Sequence, residues 1–112
     1  MIIQASDPQY ELKYQARQAL FQVIDPELFV NIIDLGLVYD VVFEENNLIH
    51  VTMTLSTPHC PLGEAIQAGV DNALRIAFPG STTKIDIVWE PLWSLDMVSS
   101  DGRALLGMPP RQ

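Results

Sequence analysis

Cys60 is the residue in this chain best equipped for chemistry, and it stands in Thr57-Pro58-His59-Cys60-Pro61. Proline favours the first turn of a helix, so Pro61 predicts a helix that opens there, with Cys60 at or beside its N-cap. The sulfur then faces unpaired backbone N–H groups and the positive end of the helix dipole, which stabilises a thiolate. A thiolate attacks electrophiles and binds soft metals, whereas a buried structural thiol is inert and packs as a small hydrophobe. On its surroundings alone, both readings stand for Cys60. His59 adjoins it and invites a Cys–His dyad, but sequence neighbours rarely face each other at a helix start. An exposed loop histidine is the expectation for His59. His50, on the polar face of a strand, reads as solvated or paired across the sheet.

Three carboxylates, Asp25, Glu27 and Asp34, fall in one loop. They can cap backbone donors, bind a metal or form an acidic docking surface. Asp25 before Pro26 is ordinarily a turn former. Glu64 falls one turn into the second helix, where an acid suits the dipole but opposes a thiolate. Trp89 and Trp93 flank Pro91 and read as a partner patch or, more simply, as a cover over the sheet. There is no phosphate-cradling glycine loop, no HExxH, no CxxC and no Gly-x-Ser-x-Gly elbow. A single cysteine supplies one of the roughly four thiolates that an iron–sulfur cluster uses. Any cluster held here must borrow ligands from a second subunit, a partner or a small thiol.

The elements that position these residues follow from periodicity. Asp7-Pro8 predicts an N-cap and first helical residue. Leu12, Ala16, Ala19, Leu20, Val23 and Ile24 recur at helical spacing until Asp25-Pro26. Residues 25–36 read as an irregular loop with apolar anchors. Leu37, Tyr39, Val41 and Phe43 alternate with Val38, Asp40, Val42 and Glu44. After a turn at Glu45-Asn46-Asn47, Ile49, Val51, Met53 and Leu55 alternate with His50, Thr52 and Thr54, which makes a hairpin. The second helix has an apolar face of Leu62, Ala65, Ile66, Val70, Ala73, Leu74 and Ala77 and stops at Pro79-Gly80. A third strand runs from Lys84 to Trp89, and a short helix is expected at Arg103 to Leu106. The order α-β-β-α-β predicts an α+β two-layer sandwich, with two helices on one face of a three-stranded mixed sheet. One domain is expected over residues 6–98, with a tail over 99–112.

Composition bounds the partners. The chain has 112 residues, 48% of them hydrophobic, enough for one folded domain without disulfides. Net charge is −8, and the basic residues Lys13, Arg17, Arg75, Lys84, Arg103 and Arg111 are scattered. No basic stripe exists to displace counterions from nucleic acid or to seat on an anionic membrane, so neither is an expected partner. No apolar run approaches the ~18 residues of a membrane span, no signal peptide is visible at Met1, and one cysteine suits a reducing cytoplasm.

Asp25-Pro26-Glu27, Asn31-Ile32-Ile33-Asp34-Leu35-Gly36-Leu37-Val38, Met53-Thr54-Leu55 and Thr57-Pro58-His59-Cys60-Pro61-Leu62 together resemble the metal–sulfur cluster assembly family of PaaD-like and SufT-like proteins. Val88-Trp89-Glu90-Pro91-Leu92-Trp93, followed by Asp96-Met97, is similar to that family's motif after the last strand. The likeness spans residues 18–107. It implies a role in maturing iron–sulfur proteins, with the family's cysteine on Cys60 and its acidic loop on Asp25, Glu27 and Asp34. Thr57, Glu64 and Trp93 are taken as supporting or partner-facing residues. Related domains precede some P-loop carrier ATPases, so a nucleotide-driven step would belong to a partner.

Three functional readings follow. In the first, Cys60 transiently ligates iron or a cluster, and a homodimer, an assembly protein or an apo client supplies further ligands. In the second, the domain is an adaptor that docks through its acidic loop and tryptophans. In the third, Cys60 is the nucleophile of a thiol enzyme with His59 or His50 as base.

Overall fold

The computed structural model describes residues 1–57 and 63–109. In chain order the elements are α1 (Tyr10–Leu20), β1 (Val38–Phe43), β2 (Leu48–Met53), α2 (Gly63–Ala77) and β3 (Thr82–Ile87), then a 3-10 turn (Leu95–Met97) and α3 (Ser100–Leu106). The sheet has the order β1-β2-β3, with β1 antiparallel and β3 parallel to the central β2. This is the mixed α+β architecture expected from the sequence. The short helix beyond the last strand begins at Ser100, three residues before its expected start.

The hairpin forms where the polar triplet places it. Asn46 and Asn47 both take left-handed backbone (φ 61 and 58), the two-residue turn whose twist suits flanking strands and which asparagine tolerates. In β2 the alternation holds, with Ile49, Val51 and Met53 buried. In β1 it does not. The register slips between Val38 and Asp40, so Val38 and Val41 are buried while Tyr39 is half-exposed. A bulge, which adds one residue to one strand, breaks the period of two. β3 is an edge strand, and it starts and ends two residues earlier than periodicity suggests; Trp89 lies beyond it.

α1 is shorter than expected at both ends. Asp7 Oδ1 accepts the Gln9 N–H at 2.8 Å, and the Tyr10 N–H reaches back to the Asp7 carbonyl, so a tight turn precedes the helix. At the other end the Asp25 N–H donates to the Val30 carbonyl, the Ile32 N–H donates to the Val23 carbonyl, and Ile24 bridges Asn31. That clasp pulls residues 23–25 out of the helix. Leu12, assigned to the apolar face, is 42% exposed, and Lys13 beside it is only 8% exposed. Lys13 is drawn inward because its ammonium lies 2.9 Å from Asp7 and 3.2 Å from Asp40.

Ala16 and Leu20 of α1, Ile66, Val70 and Leu74 of α2, and the inward residues of the strands make one core, joined by Val30, Ile32, Leu35 and Leu37 of the loop. Burying each large aliphatic side chain contributes about 1.5–3 kcal/mol. Val98 is also wholly buried, and the Ser99 N–H donates to the Asp34 carbonyl at 2.7 Å, so α3 is tied to the same core.

Candidate functional site

The loop of residues 25–36 is built around Asp25. Its Oδ1 accepts the N–H groups of Glu27 (2.8 Å) and Leu28 (3.0 Å), and its carbonyl accepts the Phe29 N–H. That is the turn-forming role its position before Pro26 suggests. The rest of the side chain does something else. Asp25 is 1% exposed, and among the described residues its Oδ2 is buried without a hydrogen-bond partner. A buried carboxylate oxygen with nothing donating to it is unfavourable for folding, and it is available to a metal ion or a proton.

Glycine at position 69 lets α2 approach the loop: a Cβ there would stand 3.1 Å from Val23. Gly63, at the start of α2, is similarly pressed against Leu55 beyond β2. Ile24, next to Asp25, and Ala65, in the first turn of α2, line one shallow cleft of about 370 Å3. Val23 and Ile24, just before the Asp25 loop, therefore pack beside α2, and Leu55 at the exit of β2 packs on the first residue of that helix. Glu64 is exposed in the first turn of α2, and Thr57 is half-buried after β2. Cys60 and His59, with Pro58, Pro61 and Leu62, lie outside the described residues.

The remaining sequence-derived residues divide. Glu27 is exposed on the Asp25 loop. Asp34 is committed elsewhere: Oδ2 accepts from Asn31 Nδ2 and Oδ1 from the Ser99 hydroxyl, both at 2.7 Å. Trp93 is half-buried against the core and donates its indole N–H to the Leu35 carbonyl at 2.7 Å, which ties it to that loop. The Tyr39 hydroxyl, its pKa raised by burial, donates to the Pro91 carbonyl next to the cis Glu90–Pro91 bond. His50 pairs with Asp86 on the polar face of the sheet. Among the described residues no three histidine, cysteine or carboxylate side chains come together as a metal-binding group.

Sequence reasoning missed Phe29. It is 80% exposed and holds left-handed backbone at φ 60, a conformation that costs a bulky residue on the order of 1 kcal/mol or more. Its neighbours gave no glycine or asparagine to announce the turn. Ser99, which secures Asp34, was also missed because it is distant in sequence.

The frame is a small α+β domain whose acidic loop carries a buried carboxylate. Residues 13–87 match the iron–sulfur cluster assembly protein family, and the chain belongs to it. It is 44% identical over 97 residues to the Fe-S protein maturation auxiliary factor YitW of Bacillus subtilis, covering 87% of this chain and 95% of that protein. With the Fe-S protein maturation auxiliary factor SufT of Staphylococcus aureus it shares 40% identity over 86 residues, 77% of this chain and 98% of the other. A crystal structure of a domain of unknown function, DUF59, from Bacillus anthracis superposes with a TM-score of 0.82 at 36% identity, covering 88% of this chain and 94% of that one.

Proposed function

We propose that this protein matures iron–sulfur proteins by transiently carrying iron or a cluster as cargo on the Cys60 thiolate and passing it to apo clients. Its family and the names of its relatives support the general role. The structural observation that supports the mechanism is the buried Asp25 Oδ2, a carboxylate oxygen with no hydrogen-bond partner among the described residues and so open to serve as a second ligand.

Thiolate binds iron as a soft ligand, and a helix start favours the thiolate over the thiol. One sulfur per chain gives a weak hold, which suits a carrier. Transfer is then a ligand exchange: a client thiol loses its proton as its sulfur takes the metal, and the Cys60 sulfur leaves and regains a proton. Assembly proteins and apo clients are the partners on this reading, and the cytoplasm, where one thiol stays reduced, is the compartment.

Anaerobic reconstitution of wild type and Cys60→Ser with ferrous iron and sulfide tests the reading. A visible chromophore in wild type that is lost in Cys60→Ser is expected. A wild type that retains neither a chromophore nor bound iron after desalting would overturn cargo binding and favour an adaptor, for which exposed Phe29 and Glu27 on one loop are the specific support. Phe29→Ala with Glu27→Lys would then abolish client capture while Cys60→Ser left it intact.

A further inference from the structure

The two edges of the sheet are treated differently. At the β1 edge the side-chain amide of Gln9 mimics a neighbouring strand: Phe43 N–H donates to Gln9 Oε1 at 2.9 Å and its carbonyl accepts from Gln9 Nε2 at 2.7 Å. The β3 edge has no such cover among the described residues. Thr82 N–H donates to the Asn47 carbonyl and Val88 N–H to the Met53 carbonyl, so the even-numbered backbone groups face β2. Those of Thr83, Ile85 and Ile87 therefore face outward. Such an edge templates strand pairing, and proteins usually blunt it with like charges. Here the two charged side chains of the strand, Lys84 and Asp86, are exposed on one face and opposite in sign.

We propose that β3 pairs antiparallel with β3 of a second copy, centred on Ile85, to give a continuous six-stranded sheet. The hydrogen-bonding phase selects registers centred on a residue and excludes those centred between two residues, because only the former set the odd-numbered, outward-facing groups opposite each other. Within Thr82–Ile87, the register centred on Ile85 alone sets Lys84 opposite the copy's Asp86 and Asp86 opposite the copy's Lys84. These fall at the non-hydrogen-bonded positions, where side chains approach most closely. On the other face, half-buried Ile85 meets its own copy and Ile87 meets Thr83, which extends the apolar layer under α2. The partner is a second copy because the strand is complementary in charge to itself. In this arrangement the two α2 starts lie at opposite ends of the joined sheet, so the two Asp25 loops work separately. The pairing goes beyond the maturation reading and does not rest on it.

Sedimentation velocity on the whole protein across rising concentration reads the association, and amide hydrogen exchange locates it. A reversible dimer is expected, with exchange at Thr83, Ile85 and Ile87 slowing as concentration rises while Lys84 and Asp86 are protected throughout. Lys84→Asp places like charges opposite each other and should weaken the dimer about tenfold. Lys84→Asp with Asp86→Lys restores complementarity and should restore dimerisation, a rescue that general loss of folding would not allow. A monomer at every concentration, a dimer indifferent to Lys84→Asp, failure of the rescue in a folded double variant, or unprotected odd-numbered amides would each overturn the proposal.

Discussion

Ser99 and Asp34 are joined twice: the Ser99 hydroxyl donates to Asp34 Oδ1 at 2.7 Å, and the Ser99 N–H donates to the Asp34 carbonyl at 2.7 Å. The same Ser99 oxygen accepts the Gly102 N–H at 3.0 Å as the N-cap of α3. One hydroxyl therefore both caps a helix and fastens it to the acidic loop. Ser99→Ala should destabilise the protein by about 1–2 kcal/mol in urea unfolding and speed amide exchange at Gly102 and Arg103. Unchanged stability together with unchanged exchange would contradict the pairing.

Gly36 sits at φ +76, and a Cβ there would stand 2.4 Å from the Met97 carbonyl oxygen. The main chain of the 3-10 turn is in the way, and it yields less readily than a side-chain tip. Gly36→Ala should cost at least ~2 kcal/mol, from left-handed strain and the displacement of Met97. Gly80→Ala is the control, because Gly80 shares the positive φ but has open space at its Cβ. Similar losses for both would show that strain, not the close approach, decides the matter.

What the sequence made legible was local. The alternation of Ile49, Val51 and Met53, the Asn46-Asn47 turn and the stop at Pro79-Gly80 are each fixed by neighbours within a few residues, and each is found. The end of α1 is decided by hydrogen bonds from the Ile32 and Asp25 N–H groups to the Val23 and Val30 carbonyls, which helical spacing does not encode. Lys13 exchanges places with Leu12 because Asp40 lies on another element. In the site, the position of Asp25 before Pro26 predicts a turn former, and one oxygen has that role. The burial of the other depends on packing that no spacing reveals. Asp34 was grouped with Asp25 by proximity in sequence, although its partners are Asn31 and a serine 65 residues away.

Lys13 joins α1 to β1 electrostatically, and its pH dependence follows. The hydrogen bond that Lys13 donates to Asp7, with Asp40 in support, holds the Lys13 pKa above the usual lysine range against the opposing effect of burial. The Lys13 ammonium holds Asp7 below the usual carboxylate range. A raised lysine contributes stability that is present below its unfolded pKa of about 10.4 and is lost as pH climbs through the folded value. A depressed aspartate contributes stability that is present above about pH 3.9 and is lost as pH falls through its lower folded value. Stability should therefore be level near neutrality and fall at both extremes. Lys13→Met should flatten the alkaline limb and weaken the acid one in urea titrations run across pH. An alkaline limb unchanged by Lys13→Met would show that Lys13 is not its source.

Asp25 separates structure from chemistry within one side chain. Oδ1 holds the turn through Glu27 and Leu28, while Oδ2 has no partner among the described residues. Asp25→Asn keeps an acceptor for the turn and removes the negative charge. It should leave thermal stability within about 1 kcal/mol of wild type, because the group it replaces was itself poorly satisfied. Asp25→Ala should lose about 1–3 kcal/mol, because two backbone N–H groups then lack their acceptor. If Asp25 serves the cargo, Asn and Ala should lower iron uptake on reconstitution equally despite their different stabilities. The measurement is iron bound per chain beside the urea midpoint for each variant. Iron uptake that follows stability, with Asn close to wild type and Ala deficient, would reduce Asp25 to a turn former and leave Cys60 without its proposed second donor.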